Sequence, residues 1–239
     1  MAQYYTDFSN PNAASEWTSR WASVSSISVQ SEGAENYLEI ISGASSGRFF
    51  VSWDTVPSAA QVNVLMRVSG STDRRICARG SGASGSETGW TLGRRVNSAR
   101  ISRYLNGAFN DTANSDVFNS VATDVVFSEA NLDGSILQWR EWRTSDSAPG
   151  WDISINNSGV SEAGQTGVFI FEANRTLKVW SFAVGTDGDP APTGPVEVSA
   201  EPFLLRHNPR TNKVVPVLSS PTVTDIGAAC VRPRVTKGF

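Results

Sequence analysis

The chain has 239 residues, 39% hydrophobic and 18% charged, which is apolar material enough for a substantial core and excludes a disordered protein. A formal net charge of −3 gives no reason to expect nucleic acid as a partner, and no apolar run reaches the length that inserts into a membrane. The charge is uneven: residues 1–195 carry 20 acidic against 14 basic side chains and residues 196–239 carry 3 against 6, so a basic tail follows an acidic body.

Met1 is followed by polar residues, so no secretory leader is expected. Cys77 and Cys230 lie far apart and read as reduced thiols rather than as a disulfide. Residues 1–22 hold Tyr4, Tyr5, Phe8, Trp17 and Trp21, and Ser15 ahead of Glu16 predicts one helical turn that packs both tryptophans. Short alternating runs follow at 26–29, 37–41 and 48–53. The clearest strand is 61–68, where Val62, Val64, Met66 and Val68 alternate with Gln61, Asn63, Leu65 and Arg67. Runs at 74–79, 89–95 and 99–105 come next, with the glycine-rich stretch 80–85 read as a loop. Asn106-Gly107 is a two-residue hairpin signal, since both residues tolerate the positive φ of a type I′ turn.

Four more runs, 135–142, 150–155, 167–171 and 177–184, are divided by turn residues, and in the last of them Trp180, Phe182 and Val184 fall on one face. With no amphipathic helix and no internal repeat, the pattern predicts an all-β, antiparallel sandwich or barrel over residues 1–186. A Gly/Asp/Pro-rich linker covers 187–195. The tail, 196–239, contains a predicted hairpin at 203–207 and 213–218, with Pro202, Pro216, Pro221 and Pro233 ruling out central strands. So short a segment cannot bury its own apolar side chains, and it is expected to pack on another chain or on the sandwich, with another chain favoured.

The succession DFSNPNAASEWTSRW, LQWREW, GWDISINNS, GQTGVFIF and LKVWSFAVGTDGDPAP resembles the laminin-G/concanavalin A-like jelly-roll modules of tailed-bacteriophage virion proteins, over roughly residues 5–190. The tail from Phe203 resembles the attachment segments of phage tail or capsid-surface proteins. The resemblance implies a double-sheet jelly roll whose relatives bind carbohydrate or partner proteins. It also implies a virion location after assembly in the host cytoplasm, with attachment through Phe203, Leu205, Arg206, Arg210, Val215, Val217, Arg232 and Arg234. Other virion proteins and further copies of the chain, as in a trimer, are the expected partners.

The sandwich contains no histidine, so a Ser-His-Asp or Cys-His centre has no base there, and a His/Cys zinc site has too few ligands. The paired-carboxylate pattern of jelly-roll glycosidases is absent; the nearest acids, Glu129 and Asp133, flank a predicted turn. The chain is therefore expected not to be an enzyme and to carry no cofactor, with a calcium ion on Asp111 or Asp116 and loop carbonyls left open. Candidate glycan-binding residues are Trp90 with Arg94, and Gln138, Arg140 and Trp142, which share one parity of their strand. The competing readings are that Trp90 plugs one end of the barrel or sandwich and that Trp142 sits under a loop or has Arg140 stacked on it. The function expected is a structural protein of the phage tail displaying a lectin-like jelly roll; a capsid decoration protein and a host-glycan adhesin are the alternatives.

Overall fold

Alternation of apolar and polar residues becomes, in space, a set of antiparallel strands whose apolar sides face one another across two sheets. The computed structural model describes residues 2–45, 47–96, 98–116, 120–195, 204–208 and 213–217. It divides into two units, Met1–Val196 and Glu197–Phe239.

The first unit begins with β1 (Ala2–Thr6), a single 3-10 turn (Ala13–Glu16), β2 (Trp17–Ser19), β3 (Ser26–Glu32), β4 (Glu35–Ile41) and β5 (Phe49–Trp53). β6 (Val62–Ser69) follows, and the chain then crosses to four hairpin-linked strands, β7 (Asp73–Ser81), β8 (Thr88–Arg95), β9 (Ser98–Leu105) and β10 (Ala108–Asp116). It closes with β11 (Val126–Asp133), β12 (Ile136–Arg143), β13 (Ile153–Asn156), β14 (Gln165–Ile170) and β15 (Thr176–Thr186). The eight-stranded sheet runs β13-β12-β11-β6-β15-β4-β3, and β1 pairs with the second half of β15. The seven-stranded sheet runs β10-β9-β8-β7-β14-β5-β2.

Between the sheets lie Val62, Val64, Met66 and Val68 of β6, as their alternation predicts, with Leu38, Ile40, Ile76, Leu92, Ile101, Trp139, Val168 and Phe182. The Asn106-Gly107 turn adopts φ of 49° and 81°, the geometry its sequence predicts. Four expectations are corrected. The 3-10 turn does not pack both tryptophans: Trp17 enters the main core, stacked 5.8 Å from Trp53, whereas Trp21 lies among Phe50, Tyr104 and Phe169. β7 continues through Gly80 and Ser81, so the loop begins only at Gly82. Glu129 sits in the middle of β11, a strand hidden from sequence because its inward residues include the small Ser128 and Ala130. Those small residues make room for Trp139, whose Nε1 donates to Ser128 Oγ at 2.9 Å.

The fourth correction matters for function. A bulge between Val179 and Ser181 shifts the register of β15, so Leu177, Val179, Phe182 and Val184 all reach the core while Trp180 turns to the opposite face. The indole is held there by donation to Ser69 Oγ at 2.9 Å and by Tyr37, 4.8 Å away.

In the second unit, β16 (Leu204–Asn208) and β17 (Lys213–Val217) form a two-stranded antiparallel hairpin, Leu204 opposite Val217 and Asn208 opposite Lys213. Pro216 is tolerated because each strand of a pair is an edge. Of the anticipated attachment residues, Leu205, Arg206, Val215 and Val217 have their backbone on this hairpin; Phe203, Arg210, Arg232 and Arg234 lie outside the described residues.

Candidate functional site

Trp90 and Arg94, both on β8, point between the sheets and present nothing to a ligand. Trp90 is fully buried and its Nε1 donates to the Val160 carbonyl at 3.0 Å. The same carbonyl accepts from Arg79, a residue in the left-handed region (φ 54°) whose guanidinium also binds the carbonyls of Ala60 and Gly134. This end of the sandwich is therefore plugged by an indole and sewn by one cation to three loops.

Arg94 belongs to a different internal cluster. It and Arg74 of β7 both donate to the carboxylate of Glu141 on β12, at 2.7 and 2.9 Å, and all three side chains are fully buried. Asp152 adds a second carboxylate, its Oδ2 accepting from the Glu141 backbone N–H at 2.9 Å, so the quartet is balanced in charge. Burial raises the Asp152 pKa above the usual carboxylate range; the Glu141 backbone N–H opposes that shift and the Glu141 charge adds to it. Glu141 is committed to two guanidiniums of the opposite sheet, so its carboxyl ties the two sheets together from within.

Gln138, Arg140 and Trp142 do share the outward face of β12, and they join a larger assembly there. Three rows of paired residues cross the eight-stranded sheet. Ser181, Arg67, Phe127 and Trp142 make the first, on β15, β6, β11 and β12 in turn. Ala183, Leu65, Glu129 and Arg140 make the second, and Gly185, Asn63, Asn131 and Gln138 the third. On the first row stands a belt of stacked π-systems. Tyr37 contacts Trp180; Arg67 lies 5.5 Å from the Trp180 ring; Phe127 and Trp142 are 5.5 Å apart. Arg140 is then clasped between Trp142 at 5.3 Å and Trp151 at 4.5 Å.

Each cation of the belt is matched by a carboxylate. Arg67 makes two hydrogen bonds to Glu35, at 2.6 and 3.0 Å, which hold the Glu35 carboxyl below its usual pKa. Arg140 binds Glu129 at 2.6 Å and the Pro149 carbonyl at 2.7 Å, while Asn63 donates to the other Glu129 oxygen. In the third row, Asn131 donates to Gln138 and Gln138 to Ser154. The rings and guanidiniums are thus fixed in place before any ligand arrives.

Two clefts open on this belt. One, of about 480 Å³, has Arg67, Phe127 and Trp180 for its floor, with Tyr5, Glu35 and Thr144 among its walls. The other, about 260 Å³, is bordered by Trp142, Arg143, Asp146 and Asp152. The Phe127–Trp142 contact joins them. A neighbouring cleft of about 500 Å³ lies beside Tyr5 and Asp7, but its tryptophan, Trp53, is 3% exposed and tied by Nε1 to Glu16, leaving no indole face to stack on.

Sequence reasoning found the β12 part of this site and missed Trp180, Phe127, Arg67, Tyr37 and Trp151. The bulge put Trp180 on the wrong parity, and Phe127 lay in the unrecognised strand. Among the described residues no group of three His, Cys, Asp or Glu side chains is placed to hold a metal ion, and the side chains of Asp111 and Asp116 lie outside the described set.

No protein-family model matches the sequence, and no curated protein matches it. Solved structures do. The chain is similar to a protein of unknown function with a galectin-like fold from Bacillus subtilis, with 12% identity and a TM-score of 0.54 over 77% of this chain and 94% of that one. It is also similar to the GH43 BlXynB protein from Bacillus licheniformis, with 9% identity and a TM-score of 0.52; 75% of this chain covers 38% of that one, well under half its length. The carbohydrate-binding module CBM66 from Bacillus subtilis aligns with a TM-score of 0.49 at 12% identity, over 69% of this chain and 91% of that chain. At such identities the likeness shows the fold alone: the first unit is a galectin- and concanavalin A-like β-sandwich.

Proposed function

We propose that this chain is a non-enzymatic carbohydrate-binding protein of a tailed-bacteriophage virion, with the eight-stranded sheet presenting its outer face to a host-surface glycan and Glu197–Phe239 attaching it to the particle. The belt from Tyr37 to Trp151 carries the glycan reading. The half-buried rings of Phe127, Trp142 and Trp151 offer flat apolar surface to sugar rings, with the buried Tyr37 and Trp180 packed at one end, and the amide, hydroxyl and carboxylate groups beside them supply hydrogen bonds to sugar hydroxyls. Preorganisation by the Arg67–Glu35 and Arg140–Glu129 pairs lowers the ordering cost of binding.

The virion location rests on the sequence resemblance and on the tail. A two-stranded hairpin is marginal by itself, and the pairs Leu204–Val217 and Leu205–Pro216 are apolar on both strands. Such a segment gains order from a partner chain, either a neighbouring virion protein or another copy in a trimer. A purely binding role is supported by the state of the acids: Glu129 and Glu141 are both spent on arginines.

The test is a carbohydrate array probed with the full chain, together with gold-labelled antibody on purified particles. Binding that disappears in Trp142→Ala, and label on the tail, support the reading. Silence across the array refutes the glycan role, reducing-sugar release refutes the non-enzymatic one, and label on the capsid moves the protein to the decoration class.

A further inference from the structure

The belt has a direction and a charge balance, and both restrict its ligand. Its first row runs across the strands, not along them: Ser181, Arg67, Phe127 and Trp142 occupy one register position on four consecutive strands. At about 4.8 Å between strands this row alone measures about 14 Å. At one end the buried Tyr37 of β4 backs Trp180, and at the other the half-buried Trp151 extends the row past Arg140. Both clefts lie on the line, joined through Phe127 and Trp142, so the floor is a track that a single sugar ring cannot fill.

The charges along the track cancel locally. Arg67 faces Glu35, Arg140 faces Glu129, and Lys178, which lies over the Tyr37 ring, faces Glu32 at 2.6 Å. Across the two clefts, two arginines, Arg67 and Arg143, meet three carboxyl groups, Asp7, Glu35 and Asp146, while Glu141 and Asp152 at the edge of the smaller cleft are balanced by the buried Arg74 and Arg94. A uronate, sialate or phosphate group entering here finds carboxylates already holding the cations, and it adds like charge at close range. An uncharged chain meets no such opposition, and its hydroxyls can both donate to carboxylates and accept from guanidinium edges.

We propose that the belt is a binding track for an uncharged polysaccharide lying across the strands and contacting several consecutive sugar rings. This rests on the glycan reading above and specifies its ligand. The experiment is calorimetric titration of the full chain with the dimer, tetramer and hexamer of cello-, xylo-, manno- and malto-oligosaccharides, and with a polyuronate of comparable length. Affinity for the recognised series is expected to rise at least tenfold from dimer to hexamer, with no measurable binding of the polyuronate. Trp151→Ala, at one end of the track, is expected to weaken the hexamer about tenfold and the dimer much less, while leaving the melting temperature near that of the parent. Equal affinity for dimer and hexamer, or tighter binding of the polyuronate, overturns the track and leaves the glycan reading standing. Failure of every saccharide, charged or neutral, brings down both.

Discussion

Replacing Glu141 by glutamine tests the internal quartet. In the parent protein the carboxylate receives Arg74 Nε and Nη2 and Arg94 Nε within 3.0 Å, with all three side chains excluded from water. Glutamine keeps the shape but offers one acceptor oxygen for two cations and turns an N–H₂ toward a guanidinium. Removing one partner of a buried ion pair costs about 3–5 kcal/mol, because the remaining charge is stranded. For a folding unit of this size each kcal/mol moves the midpoint by about 2–4 °C, so the melting temperature should fall by roughly 6–20 °C. Urea titration followed by tryptophan fluorescence should show a lower midpoint at unchanged slope, the sign of lost stability without a changed denatured state. The fourfold replacement Arg74→Met, Arg94→Met, Glu141→Leu, Asp152→Asn should recover much of the loss, since it strands no charge. A cost below about 1 kcal/mol for the single variant is what a solvent-reached surface pair shows, and it would refute the buried-quartet argument.

Trp90→Phe should lower stability by about 1–3 kcal/mol, through a lost hydrogen bond and a small cavity, yet leave glycan affinity intact; Trp142→Ala should do the reverse, and titration beside thermal melting separates the two. Asp152→Asn addresses pH. Burial raises the folded-state pKa of Asp152, so ionising it costs stability: the penalty is absent below the unfolded value of about 3.9 and grows until pH passes the folded value. Melting curves across that window should show the parent losing ground to Asp152→Asn as pH rises, whereas a gap that is flat or widens the other way contradicts the assignment. Deleting Glu197–Phe239 should leave the melting transition of the sandwich unchanged and abolish incorporation into particles, measured by immunoblot of purified virions.

What sequence could read depended on how each residue spends its side chain. The β6 alternation was legible because every inward position is a large aliphatic residue and most outward ones are polar. β11 was not, because its inward Ser128 and Ala130 are small for the sake of Trp139, a partner eleven and nine residues away that no local pattern reveals. On β12, parity correctly grouped Gln138, Arg140 and Trp142, whereas Glu141, which points inward with Leu137 and Trp139, drew no attention as a charge in the core. The arginines that make a buried Glu141 tolerable come from β7 and β8 of the opposite sheet, so their role appears only once the sheets are stacked. Arg94 looked like a surface group for the same reason, while Trp90 could be read either as a stacking platform or as a plug. A polar or amphipathic residue on an alternating strand is read as outward unless its buried partner is known.

A sandwich has two outer faces, and here a single residue decides which one is free. Trp21, just beyond β2, folds over the seven-stranded sheet, where it contacts Phe50 at 5.1 Å, Tyr104 at 5.2 Å and Phe169 at 5.8 Å and donates to the Ser81 carbonyl. Arg48 completes the cover, lying 5.1 Å from the Tyr104 ring and bonded to Glu87 and to the Gly107 carbonyl. A ligand seeking those rings has to displace a 4%-exposed indole and break its hydrogen bond. On the eight-stranded sheet the equivalent rings, Phe127, Trp142 and Trp151, keep part of their surface in water, because their packing partners are arginines lying beside them rather than chain lying above them. The same chemistry of stacked aromatics and guanidiniums therefore makes a second small core on one side and an accessible platform on the other. The difference lies at Trp21, whose side chain folds over the seven-stranded sheet from a segment that runs hydrogen-bonded beside β5 before crossing to β4.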